Sequence, residues 1–183
     1  GDAAQKSFSA ALQARGAVVI EQAKKAGTYA VVLAARPYHN DPLVHHGLPE
    51  LFSHEGIPVV CADAVPGVDE VDLSHSIIDI VNNYHARMLS CATIAARDEN
   101  LEYVQLVSFG CGHDAYLTDE ICRLMHEISG KVPLVVKLDE SDVSGPLRIR
   151  VQSFIQTTAM RRAAGIPLEV HELGDPYPRK FTR

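Results

Sequence analysis

The sequence has no tryptophan, no Cys-x-x-Cys pair and no apolar run near the roughly 20 residues that a bilayer-spanning helix needs. It opens on Gly1-Asp2-Ala3-Ala4-Gln5-Lys6, without a basic segment running into an apolar one, so no secretory signal is expected. The missing initiator Met and the immediate helical pattern lead us to expect a piece of a longer polypeptide. Positive charge is short as well: 17 basic residues against 23 acidic ones give a net charge of −6. That balance excludes a general nucleic-acid binder, and the short basic tail at 179–183 is expected to be a solvated end. No Gly-rich loop carries the Lys-Ser/Thr of a phosphate-binding loop.

Cysteine is scarce and scattered, at Cys61, Cys91, Cys111 and Cys122. The spacing excludes a zinc ribbon, and a chain of 183 residues buries enough core to need no disulfide staples. A reducing cytoplasm is therefore the expected setting. What is present is ordinary for one globular domain, with 46% hydrophobic and 22% charged residues and no internal repeat.

Periodicity predicts a helix over 3–26 with Gly27 at its C-terminal cap, followed by an apolar strand at 29–34. A short helix at 48–54 and a strand at 58–62 come next, then a long helix over 74–97 with Ile77, Ile80, Val81, Tyr84, Met88 and Cys91 on its apolar stripe. A strand at 103–108, a helix from 115 to before Gly130, a strand at 132–138 and a helix at 145–164 complete the alternation. The stretch 166–170 is either a fifth strand or an extended arm. Strands that are near-continuously apolar and alternate with helices imply an α/β fold, a three-layer αβα sandwich around a mainly parallel sheet of four or five strands, Rossmann- or flavodoxin-like. The organisation read from this is an N-terminal helix over 1–27, an α/β domain over 28–165 and an arm over 166–183.

Ligands of open α/β sheets bind beyond the carboxyl ends of the strands. The loops expected there are Arg36-Pro37-Tyr38-His39-Asn40-Asp41-Pro42, Asp63 to Gly67, Gly110-Cys111-Gly112-His113-Asp114 and Asp139-Glu140-Ser141-Asp142. Cys111 has two readings. Between glycines it fits a tight turn and needs no further purpose; near a helix start it has an exposed sulfur whose thiolate is favoured by the dipole and by free N–H groups. Its place at the sheet edge favours the second. Cys61, Cys91 and Cys122 fall on core elements and read as structural.

His39 is expected in an exposed irregular loop, either as a surface turn or as a ligand-facing acid, base or hydrogen-bond donor. Arg36, at the end of a buried strand, needs a carboxylate or a phosphate beside it, and Asp139 or Glu140 is a candidate. Asp114 reads as the N-cap of the helix that follows. His45 and His46 are adjacent on a helical segment, where side chains diverge, and are read as non-metal.

Four blocks occur in order: Arg36-Pro-Tyr-His-Asn-Asp-Pro42 with His46-Gly-Leu-Pro-Glu50, Ser108-Phe-Gly-Cys-Gly-His-Asp-Ala115, Lys137-Leu-Asp-Glu140, and Arg150-x-x-x-Phe154. Over about 28–158 the chain resembles the C-terminal part of proteins related to the activator of 2-hydroxyacyl-CoA dehydratase, which are similar to the iron–sulfur D-component of 2-hydroxyglutaryl-CoA dehydratase. The resemblance implies an α/β domain of a two-lobed redox protein with a 4Fe-4S or double-cubane cluster held by cysteines. It implies Cys111 as one metal ligand, with Gly110, Gly112 and Asp114 around the cofactor and Arg36, Tyr38, His39 and Asp41 as catalytic candidates. The family's upstream cysteines are absent from this chain, so the other ligands are expected from the remaining lobe, and no cluster is expected in this piece alone. An ATP-dependent activase module and an acyl-CoA are the implied partners, with neither nucleic acid nor membrane. Two further readings stay open. One makes Cys111 a nucleophile with His39 or His113 as its base; the other makes the chain a non-catalytic docking domain for an activase module.

Overall fold

A computed structural model describes residues 1–108, 112–138 and 144–174. Among these residues four parallel strands, β1 (Ala30–Ala34), β2 (Val59–Cys61), β3 (Leu101–Ser108) and β4 (Leu134–Leu138), lie in the order β2-β1-β3-β4. Their registers pair Val32 with Val60, Val32 with Tyr103, and Leu106 with Val136. β1 is buried along its whole length because it is central and covered on both faces.

Among the described residues there are six α-helices: α1 (Asp2–Lys25), α2 (Pro42–His45), α3 (Leu48–Ser53), α4 (Asn83–Arg97), α5 (Gly112–Ser129) and α6 (Ser144–Ala163). Side chains alternate between faces along a strand. On β3, Leu101 and Tyr103 join the cluster formed with α1, α4 and α5, whereas Val104 and Leu106 join the one formed with α3 and α6. The three-layer αβα sandwich expected from the sequence is therefore what forms.

α1 ends as a left-handed turn requires. Gly27 has a φ of 72° and donates its N–H to the Lys24 carbonyl, while Thr28 N–H bonds to Ala23 O. Midway along α1, Gly16 lies against the Ala64 carbonyl so closely that a Cβ would stand 1.8 Å from that oxygen. At the amino edge of the sheet the buried Lys131 ammonium donates to the carbonyls of Ala95, Asp98 and Leu101 at 2.9, 2.6 and 2.7 Å, tying the end of α4 to the start of β3.

Two expectations are corrected and one open alternative is narrowed. The helix predicted over 74–97 begins only at Asn83, because the Asn82 side chain accepts the His85 N–H at 3.1 Å and caps it there. Upstream, β-branched Ile77, Ile78, Ile80 and Val81 form an irregular segment, and Ile77 N–H is bonded to Glu120 Oε1. The stretch 166–170 adds no strand; beyond it His171 N–H bonds to Ile128 O and Leu173 packs on the α4–α5 side of the core. α5 starts before Asp114, which lies inside its first turn and does not serve as its N-cap. No helix among the described residues is long and apolar enough to cross a membrane.

Candidate functional site

The strand order reverses direction between β1 and β3, and the carboxyl ends of those two strands frame the crevice in which open α/β sheets bind ligands. β1 runs through Ala35 into Arg36, and a single 3₁₀ turn at Pro37–Asn40 follows, started by Pro37 with its fixed φ. α5 starts on the far side of the crevice. Arg36 Nη2 donates to Asp114 Oδ1 at 2.7 Å, and the Asp114 side chain is 6% exposed. The carboxylate that the strand-end arginine requires is thus supplied by α5. Asp139 and Glu140, the partners considered from the sequence, lie outside the described residues.

His39 is the largest departure from expectation. It is fully buried, since the 3₁₀ turn folds its ring inward while Tyr38 stays half in solvent with its own ring 4.4 Å away. Neither ring nitrogen of His39 finds a hydrogen-bond partner among the described residues. Burial, followed by the Arg36 guanidinium, holds its pKa below the ordinary imidazole value, and Asp114 offsets this in part. The result is a neutral imidazole with a donor and an acceptor to spare beside an ion pair, the state suited to proton exchange or to holding a polar group.

His85 completes the cluster, and the sequence reading missed it. It lies in the first turn of α4, is buried, and has Nε2 without a partner among the described residues. Burial lowers its pKa, Asp114 counters that, and Arg36 and His113 lower it further. Its ring stands edge-on to that of the exposed His113, 6.1 Å between centroids, and the neighbouring Tyr84 lies under the Arg36 guanidinium at 5.5 Å. The signal available for it was Asn82, a residue type favoured at helix N-caps: a helix that follows β2 in this topology begins at the carboxyl edge and delivers its first residues there. Gln105 on β3, opposite Ala34, is a further fully buried side chain whose amide atoms have no partner among the described residues.

The other sequence candidates divide. Asp41 caps α2 by accepting the Leu43 N–H at 2.9 Å, a local structural use. Gly112 opens α5, and no described atom lies within 4 Å of where its Cβ would stand. Cys111 and Gly110 lie outside the described residues, as does the basic tail.

A cluster of the kind implied by the resemblance needs several thiolates. The described cysteines do not fit one. Cys91 is buried in α4 with its thiol 3.5 Å from Ala62 O, and burial pushes its pKa well up. Burial also raises the thiols of Cys61 at the end of β2 and of Cys122 on α5. Among the described residues no three His, Cys, Asp or Glu side chains are grouped to hold a metal ion.

Residues 1–65 match the family model described as the CoA enzyme activase uncharacterised domain. The match ends just past β2 and includes the Arg36–Asp41 segment. It supports a relation to the CoA enzyme activases over that part of the chain. No curated protein and no solved structure matches the chain.

Proposed function

We propose that this chain is a domain of a CoA enzyme activase-related redox protein, and that it offers Cys111 as one cysteine ligand of an iron–sulfur cluster whose remaining ligands belong to another lobe. The observation that carries the reading is the assembly at the head of α5. Arg36 and the buried, neutral His39 come from the family-matched part of the chain, Asp114 comes from the helix itself, and Cys111 directly precedes that helix in sequence. A thiolate entering a helix N-terminus is favoured by the dipole and by unpaired N–H groups. When bound, the cluster would supply one-electron chemistry. This chain's own residues would contribute the fixed Arg36–Asp114 charge pair and a buried imidazole able to hold or pass a proton. The piece alone would carry no complete cluster. The partners in this reading are the remaining lobe, an ATP-dependent activase module and an acyl-CoA.

The test is iron content and visible absorption of the full-length polypeptide, purified without oxygen, for the natural sequence and for Cys111→Ser. Loss of iron together with loss of cluster absorption is the expected result. Unchanged iron in Cys111→Ser removes the ligand assignment.

The unpaired nitrogens of His39 favour one second reading, Cys111 as a nucleophile with an imidazole base. Stoichiometric alkylation of Cys111 near neutral pH in cluster-free protein, slowed in His39→Asn, would support it over the first.

A further inference from the structure

Between the carboxyl ends of β1 and β2, beneath the first turns of α4, lies a cavity of about 200 Å³. Neither His39, His85 nor Asp114 lines it, so it is separate from the ion-pair cluster, and Tyr84 forms a wall between the two. Its floor is apolar and buried, made by Leu33, Ala62 and Met88. Its rim carries two exposed amides, Asn40 from the 3₁₀ turn and Asn83 from the start of α4.

Charge narrows the occupant. Arg87 is the basic side chain on the wall, and its guanidinium is held by Asp63 and, at 3.3 Å, by Asp69. One cation against two carboxylates leaves nothing for a phosphate or carboxylate group, so an uncharged group is favoured. Size narrows it again. A cavity of about 150 Å³ takes a benzene ring, so this one has room for a fused bicycle. Paired donor and acceptor atoms on an asparagine amide match the hydrogen-bonding edge of adenine, and a tyrosine ring offers a stacking face that any base can use.

We infer that this cavity binds an uncharged planar nitrogen heterocycle, with the adenine base as the best-fitting member. Asn40 and Asn83 read its edge, Tyr84 packs on its face, and the rest of the ligand runs outward past the rim. The assignment stands independently of the cluster reading and fails or survives separately from it, since it needs no iron and no Cys111.

Adenosine is the probe, used on the whole chain with saturation-transfer NMR. The expected result is transfer to the base protons H2 and H8, with affinity about tenfold weaker in Asn83→Leu, the loss of roughly one good hydrogen-bonded contact. Asn82 keeps the α4 cap in that variant, so far-UV circular dichroism should not change. Ala35→Leu, which fills the cavity from the residue that follows β1, should abolish transfer. Absent transfer to the natural chain, or equal binding by all three proteins, overturns the assignment. Binding of butyramide in place of adenosine overturns it in favour of a short acyl group.

Discussion

Arg36 and Asp114 are 78 residues apart in sequence, yet Nη2 of the first lies 2.7 Å from Oδ1 of the second. The bond closes the crevice between β1 and β3 at the point where the strand order reverses. Both groups are largely out of solvent, so each neutralises the cost of burying the other.

Removing one partner leaves a buried charge uncompensated, at a cost of about 3 kcal/mol or more. Asp114→Asn and Arg36→Met should each lower the urea midpoint by a comparable amount. The double variant should lose clearly less than the sum of the two. Additive losses in that cycle would show that the pair does not couple β1 to α5.

Stability should also depend on pH through His39 and His85. Both are held below the ordinary value of 6.5 in the folded chain. As pH falls from about 7 towards 5, the unfolded chain takes up protons that the folded chain refuses. Stability is therefore fully present above that window and is lost on acidification through it. The slope of unfolding free energy against pH should be shallower in His39→Asn than in the natural chain. An imidazole titration by NMR that placed His39 above 6.5 would contradict the burial argument.

Gly16 offers a test in which two forces predict opposite signs. Helix propensity alone makes Gly→Ala stabilising by about 0.5–1 kcal/mol in a helix interior. Here the new methyl would meet the Ala64 backbone oxygen at 1.8 Å, and neither backbone can yield cheaply. Gly16→Ala should destabilise by about 1–3 kcal/mol, the usual range for overpacking, and should make α1 easier to cleave by protease. Ala11→Ser, on the exposed side of α1, should cost no more than the propensity difference of about 0.5 kcal/mol.

Much of the frame was legible in the residues. Near-continuous apolar runs, too short to span a membrane and alternating with helical periods, imply a parallel sheet, because such runs suit strands covered on both faces. The rule for ligand edges then pointed to Arg36, Tyr38, His39 and the loop before α5. The head of α4 was less legible. Ile77, Ile80 and Val81 continue a helical stripe on paper, whereas the Asn82 side chain bonds the backbone at His85 and stops the helix there. A periodic pattern reports which side chains are apolar and leaves open where backbone hydrogen bonding begins.

The fold class, the αβα layering and the need of Arg36 for an anion follow from the residues alone. Which anion serves is set by the packing: Asp114 becomes the partner through the β1–β3 register and the early start of α5. The packing also decided that His39 is buried and that His85 joins it. Those outcomes depend on how the 3₁₀ turn after β1 and the cap of α4 are aimed across the sheet edge. They arise from contacts between residues far apart in sequence, from His85 with His113 to Arg36 with Asp114, and a local pattern carries no record of such distances.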